Sequence, residues 1–310
     1  MIMDESDSIK YSVVVCTHNH ADRLKPTLYG LKDLASPDSS WELLIVNNAS
    51  TDITQEVLDD EAWRPENVST RIVFEPKLGI ANARNRAVLE AKGGHIIFID
   101  DDETPHTTWL KEYDKAIRKW DPDALGGTIE VLFEGESRPL WLQDELLGFL
   151  GRLSYGAESI KLVGHSTPIF TGNACFKKTV FDMVGLFDPE LGRRGAENSG
   201  GEDVDLYRRM INAAADVRWV PDAIIYHRIQ TAKLRKSYFL DLHYHQGQME
   251  GRLKQEGKSR IPPLYLITQL GRALKTSITH RIRYGSNSSL RKEMNVVYFI
   301  GFISGWAGGK

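Results

Sequence analysis

Four consecutive carboxylates, Asp100-Asp101-Asp102-Glu103, follow directly on the apolar run His95–Ile99. Like charges this close repel, and placing them at the end of a buried strand is costly unless a cation compensates. Hard divalent cations take oxygen ligands and are commonly shared with substrate phosphates. The run therefore reads as a metal or nucleotide site, against the plainer reading of a solvated acidic loop. A second acidic pair, Glu202-Asp203, comes after Gly200-Gly201 and opens the helical stretch Val204–Ala213. Two glycines let a loop change conformation, and a helix N-terminus stabilises carboxylates. A simple cap would look the same in isolation. Together the two clusters supply what a metal-assisted group transfer requires, a charge-neutralising site and a general base.

Regular elements must bring these clusters together. Tyr11–Cys16, Trp41–Val46, Arg71–Phe74 and His95–Ile99 read as strands, being β-branched or apolar runs of strand length. Helices are expected from Asp22 to about Leu34, near Ile53–Asp60 and over Gly79–Lys92. Pro26 is tolerable only in a first helical turn. This alternation implies an α/β fold, a Rossmann-type, mostly parallel sheet with helices on both faces. Ligands of such sheets sit beyond the carboxyl ends of the strands. Four loops should therefore converge: Thr17–Asn19, Asn47–Asp52, Glu75–Gly79 and Asp100–Glu103. Further on, His106–Trp120 reads as a helix, Ala124–Phe133 and Phe170–Phe176 as strands, and Lys178–Gly185 as a short helix. Arg218–Pro221 and Ala223–His227 read as two short strands, while Glu134–Thr167 gives few signals.

The chain has 310 residues, 26% charged and 41% hydrophobic, with a formal charge of -3. That is ordinary globular composition with no bulk attraction for nucleic acid. The average hides a split, since residues 231–310 carry 14 Lys and Arg against 4 Asp and Glu. Two cysteines, Cys16 and Cys175, exclude a disulfide framework and a four-cysteine zinc site. Residues 1–10 contain acids and no apolar core, so no signal peptide is expected there. Met294–Gly309 is too short and mixed for a membrane span.

Several ordered segments resemble the family-2 glycosyltransferases of GT-A fold. They are Ser12-Val13-Val14-Val15-Cys16-Thr17-His18-Asn19, Val46-Asn47-Asn48-Ala49-Ser50-Thr51-Asp52, Gly79-Ile80-Ala81-Asn82-Ala83-Arg84-Asn85-Arg86-Ala87 and Phe98-Ile99-Asp100-Asp101-Asp102. Gly172-Asn173-Ala174-Cys175-Phe176, Gly185-Leu186-Phe187-Asp188 and Glu202-Asp203-Val204-Asp205-Leu206 follow in the family's order. The resemblance implies an inverting, metal-dependent transfer from a nucleotide sugar, UDP-linked by preference with GDP and dTDP open, to a glycan or polyprenyl-linked acceptor. Asp203 would be the general base and Glu202 would position the acceptor. Asp102 would bind Mn²⁺ or Mg²⁺, with His227 as a further ligand, and Asp100 and Asp101 would face the nucleotide. Thr17, Asn19, Asn47, Asn48, Asp52, Gly79, Arg84 and Asn85 would line the donor site. Arg193 and Arg194 would fold over the diphosphate, and Trp141, Gly172 and Asn173 would meet the acceptor. Asn47 stands where the family often has Asp, which leaves the base open.

The expected organisation is a tail over 1–10, a GT-A domain over 11–230 and a basic helical extension over 231–310. Within the domain, 11–103 handles nucleotide and 104–230 handles acceptor. Basic residues interleaved with apolar stretches in the extension suit an anionic membrane surface, against the plainer readings of a helical cap or a self-association surface. The expected address is the cytoplasm, peripheral on the inner membrane face. Two rivals stay open. One is a non-catalytic sugar-nucleotide-binding or scaffold subunit of a polysaccharide assembly complex. The other, weaker, is a haloacid-dehalogenase-like phosphatase, whose strand-then-Asp-x-Asp-x-Thr pattern Asp100–Thr104 also fits.

Overall fold

The computed structural model describes residues 9–135, 137–192, 201–256 and 259–308. These fall into two compact units, Met1–Glu130 with Leu153–His227, and Val131–Arg152 with Arg228–Lys310.

In the first unit, β1 (Tyr11–Thr17), β2 (Trp41–Asn47), β3 (Ser69–Phe74) and β4 (His95–Asp100) pair in parallel, with β1 between β2 and β4. All of β1 and β2 is buried, as a sheet covered on both faces requires. Alternation then divides their side chains between two cores. Tyr11, Val13 and Val15 pack with Leu24, Leu28 and Leu31 of α1 (Ala21–Lys32) and with Trp109, Leu110 and Tyr113 of α4 (Trp109–Trp120). Val14 and Cys16 pack on the other face with Ala81, Ala87 and Val88 of α3 (Ile80–Glu90) and Leu206, Tyr207 and Met210 of α6 (Glu202–Asn212). The remaining short helices are α2 (Thr54–Asp59) and α5 (Val180–Val184).

The parallel strands continue into an antiparallel part. The full order is β3-β2-β1-β4-β7-β6-β8-β5, with β5 (Glu103–Pro105), β6 (Ala124–Phe133), β7 (Asn173–Lys177) and β8 (Val217–Ile229). This is a mixed sheet with flanking helices, the architecture that the sequence resemblance implies. Three details depart from the sequence expectation. Pro26 lies well inside α1, where it withholds one intrahelical hydrogen bond. The two strands expected around Pro221 are one strand, β8. The three-residue β5, too short to carry a periodicity, exists through its pairing with β8, Glu103 opposite His227.

The second unit is helical: α7 (Lys236–Gln255), α8 (Leu264–Tyr284) and α9 (Leu290–Gly308). The segment 131–152, grouped by the sequence with 104–230, places Leu142, Leu146, Leu147 and Leu150 in one core with Phe239, Leu290 and Met294. Helices α7 and α9 meet backbone to backbone through Gly247 and Gly251 on one and Gly301 and Gly305 on the other. A Cβ at Gly247 would lie 2.1 Å from the Tyr298 carbonyl oxygen, and one at Gly305 2.0 Å from that of Gln248. Among the described residues no helix is long and apolar enough to cross a membrane.

Candidate active site

Register brings the strand ends together. Thr17 pairs with Asn47, Cys16 with Asp100, and Asn47 with Phe74, so the turns that follow β1, β2, β3 and β4 emerge side by side. Their polar side chains first fix the turns themselves. Asn19, at φ 52°, accepts hydrogen bonds from the Thr51 and Asp52 amides at 2.7 and 3.2 Å. Asn48 donates to the Glu75 and Lys77 carbonyls and accepts from the Gly79 amide at 2.9 Å. Asn47 accepts from Ser50 N and donates to Gln55 Oε1, so both ends of its amide already serve its own loop. Burial opposes the charge of Asp52, but hydrogen bonds from Thr54 and Ala21 outweigh it and hold the carboxyl below its usual range.

Arg84 is the hub of the site. It is buried on α3, where its Nη1 lies 2.7 Å from Glu202 Oε1 and 2.8 Å from Asp203 Oδ1, and its Nη2 lies 3.2 Å from Asp100 Oδ1. One guanidinium thus ties the end of β4 to the first turn of α6. It also stands over the Phe187 ring at 5.8 Å. Thr171 fixes Asp203 from another side: its hydroxyl donates to Oδ1 and its amide to Oδ2. Asp203 keeps 17% of its side chain open. It is therefore oriented by two partners and still reachable, as a general base must be. Glu202 is buried and also accepts from the Gly201 amide at 3.1 Å.

The acidic run divides by direction. Asp101 turns inward, accepting from Thr17 Oγ1 at 2.7 Å and facing His20 Nδ1 at 3.1 Å. That hydrogen bond raises His20 against the opposing effect of burial. Where the sequence expectation has Asp101 facing the nucleotide, its carboxylate here anchors β1 and α1. Asp100 stays outward with 44% of its side chain open. Crowding by the surrounding protein pushes its carboxyl up to about 6 despite Arg84, and Asp102, Asp203 and Asp101 add to the rise. Glu103 is buried and pushed well above the carboxylate range by burial, then by Asp100 and Asp102; its Oε2 accepts the Asp100 amide at 3.0 Å. Gly172 permits this crowding, since a Cβ there would lie 2.9 Å from both Asp100 Oδ2 and Glu103 Oε1.

Asp102 Oδ2 lies 2.8 Å from Arg23 Nη1 and 3.4 Å from His227 Nε2. The carboxylate oxygen suits Mn²⁺ or Mg²⁺, and the imidazole nitrogen beside it favours the transition metal of the two, Mn²⁺. Among the described residues no three His, Cys, Asp or Glu side chains form a complete metal cage. The pair fits a cation whose other ligands come from substrate and water, and which would compete with Arg23 for Asp102.

Two further residues serve the scaffold. Asn173, expected at the acceptor, accepts through its oxygen from Trp109 Nε1 and the Tyr113 hydroxyl, and its nitrogen donates to the Thr128 and Ala223 carbonyls. Those bonds use the whole capacity of an amide. Asn85, expected in the donor site, pairs both amide ends with the Phe187 backbone at 2.8 and 2.9 Å, so its side chain fixes the 185–188 turn. Trp141 belongs to the second unit, edge-on to Phe239 at 5.6 Å. Arg193 and Arg194 lie outside the described residues. His20, Arg23 and Thr171 carry part of the site and were not singled out from sequence. Only the position of Thr171 beside Gly172-Asn173 could have suggested it.

The family model described as "Glycosyl transferase family 2" matches residues 12–185, more than half of the chain. The chain belongs to glycosyl transferase family 2. Its relatives in that family include succinoglycan biosynthesis protein ExoM of Rhizobium meliloti, 24% identical over 309 residues, covering 98% of this chain and 95% of that protein. Glycosyltransferase AglE of Haloferax volcanii is 25% identical over 213 residues, covering 69% of this chain. The match spans 65% of AglE's own length. Among solved structures, mannosyltransferase PcManGT from Pyrobaculum calidifontis, in complex with GDP-Man and Mn²⁺, superposes with a TM-score of 0.60 at 16% identity, over 97% of this chain and 88% of that one. S. aureus TarS 1-349, in complex with UDP-GlcNAc, gives 0.52 at 15% identity over 97% and 93%. At such identities these two share the GT-A fold with the family-2 chain.

Proposed function

We propose that the protein transfers a sugar, with inversion, from a nucleoside-diphosphate sugar to a hydroxyl of a glycan or lipid-linked acceptor in cell-envelope polysaccharide synthesis. The observation that carries this reading is the Arg84 hub, which holds Asp203 beside the donor-side Asp100. In this reading Asp203 takes the acceptor proton as the hydroxyl oxygen bonds to the anomeric carbon and the bond from that carbon to the diphosphate oxygen breaks. The sugar inverts because attack and departure lie on opposite faces. Arg84 and Thr171 keep the Asp203 carboxylate aimed, and Glu202 stays on the same guanidinium as a positioning group.

Asp102 and His227 would hold Mn²⁺ or Mg²⁺, which when bound neutralises charge developing on the leaving diphosphate. UDP-GlcNAc and GDP-Man in the TarS and PcManGT structures support a donor of that class. A uridine donor is favoured, with GDP and dTDP sugars next. We place the protein in the cytoplasm, peripheral on the inner membrane face.

The test is a panel of UDP-, GDP- and dTDP-sugars with and without Mn²⁺, read as the thermal midpoint and as released nucleoside diphosphate. One nucleotide class should raise the midpoint, more with metal, and Asp102→Ala should abolish the metal-dependent part. Donor binding without release in the presence of any glycan or lipid-linked acceptor would instead support a non-catalytic subunit.

A further inference from the structure

Helix α8 has two apolar faces. Leu266 and Ala273 are buried on one, in the second unit. Leu264, Ile267, Leu274, Ile278 and Ile282 recur at the spacing of a single helical face, and each is between 43% and 80% exposed. They form a stripe about 27 Å long, with Gly271 in line and nothing within 4 Å of where its Cβ would be. Ile261, 79% exposed, stands just before the helix. An apolar face this long and this open marks an interaction surface.

The charge around it narrows the occupant. Residues 257–292 contain eight Lys and Arg and no Asp or Glu. On α8 itself, Lys275, Arg272 and Arg283 follow one edge of the stripe, and Arg281 stands at the other. Arg281 meets Glu293 of α9 at 3.5 Å, and no acid lies on α8. A second copy of the chain would bring this cationic face against its own like charges. A nucleic acid would satisfy the bases and leave the isoleucines and leucines in water. A bilayer surface with anionic headgroups meets both, taking the stripe into the acyl boundary while the long basic side chains extend to phosphate.

We infer that the exposed face of α8 is a membrane-docking surface that lies flat on an anionic bilayer. It gives the peripheral attachment proposed above a specific set of residues, and it is independent of sugar transfer. Lipid is the occupant, and the helix lies along the interface without crossing it.

The experiment uses the full-length protein in flotation with vesicles of phosphatidylcholine alone, or with about one-third phosphatidylglycerol added. The wild type should float with the anionic vesicles, at least about tenfold more strongly than with the neutral ones, and less as salt is raised. The triple variant Leu274→Ser, Ile278→Ser, Ile282→Ser should lose about tenfold or more of that binding with an unchanged thermal midpoint, because these side chains are exposed in the folded chain. Arg272→Gln, Lys275→Gln, Arg283→Gln should lose the preference for phosphatidylglycerol. Asp203→Asn should float like the wild type, which separates docking from catalysis. The inference is overturned if the wild type binds both vesicles equally, or if the serine triple variant floats undiminished. It is also overturned if that variant's only effect is to convert a dimer to a monomer in light scattering.

Discussion

The two ends of the parallel strands treat buried carboxylates in opposite ways. Near the amino ends, Glu42 is completely buried, and burial alone would raise its carboxyl. Donors from Arg71, Ser12 and the Lys92 amide overcome that and hold it below the usual range. Their distances are 2.9, 2.6 and 2.7 Å. At the carboxyl ends, Asp100 keeps part of its side chain open yet is crowded by the surrounding protein, shares its one guanidinium with Glu202 and Asp203, and is pushed up to about 6. The difference is one of supply. One carboxylate surrounded by donors is a structural anchor, whereas three on a single cation keep an unmet demand for positive charge. In the proposed reaction a divalent cation or the acceptor proton would answer that demand.

Removing the base at the carboxyl end should have the largest effect. Asp203→Asn keeps a side chain that can still accept from Thr171, so the thermal midpoint should stay close to the wild type. The turnover rate should fall by roughly 10²–10⁴-fold. A variant that turned over normally would remove Asp203 from the chemistry.

At the amino end the expected loss is of stability and not of rate. Glu42→Ala removes the buried acceptor of the Ser12 hydroxyl and the Lys92 amide, while Arg71 keeps Glu90, and should cost about 1–3 kcal/mol in denaturant unfolding. The kcat of the remaining folded enzyme should be unchanged. A fall in kcat at full folding would erase the contrast between the two ends.

His95 sharpens the comparison with pH. It begins β4 and is buried beside the Tyr11 ring, with Nε2 lacking a hydrogen-bond partner among the described residues. Burial pushes it down from 6.5 to about 4, with Asp121 opposing and Lys177 and Lys10 assisting. Between those values the unfolded chain binds the proton and the folded one does not. Stability is therefore full above pH 6.5 and declines as pH falls toward 4, by up to about 3 kcal/mol. His95→Phe should remove that part of the slope, measured as the difference between variant and wild type.

The smallest expected effect is at Asn173, which separates anchoring from acceptor contact. Asn173→Ala should cost about 1–3 kcal/mol of stability, because Trp109, Tyr113 and two carbonyls lose their partner. The KM for acceptor should stay unchanged. A raised KM at normal stability would restore the residue to the acceptor site.

Much of the scaffold was legible because it rests on local pattern. The unbroken apolar runs of β1 and β2 and the strand–helix rhythm placed four loops at one end, where the register indeed brings Thr17, Asn47 and Asp100. Three-residue β5 was not legible, since its existence depends on a partner more than a hundred residues away. The inward turn of Asp101 was hidden for a related reason. Side chains at neighbouring positions look alike in sequence, and only the placement of Thr17 and His20 makes Asp101 an anchor and leaves Asp100 and Asp102 for the site.

The chain's local chemistry, by itself, determined which residues carry charge at the strand ends, that the helical extension is basic, and that its α8 segment has no acid. Tertiary structure decided what those residues do. Arg84 meets Glu202 and Asp203 across 118 and 119 positions, and no local propensity specifies a contact at that separation. It arises because α3 and α6 bury their apolar faces in the same core, which sets the guanidinium and the acids side by side. The exposed stripe of α8 has the same origin. Its leucines and isoleucines are alike in sequence, and packing in the second unit decided which of its two apolar faces was covered.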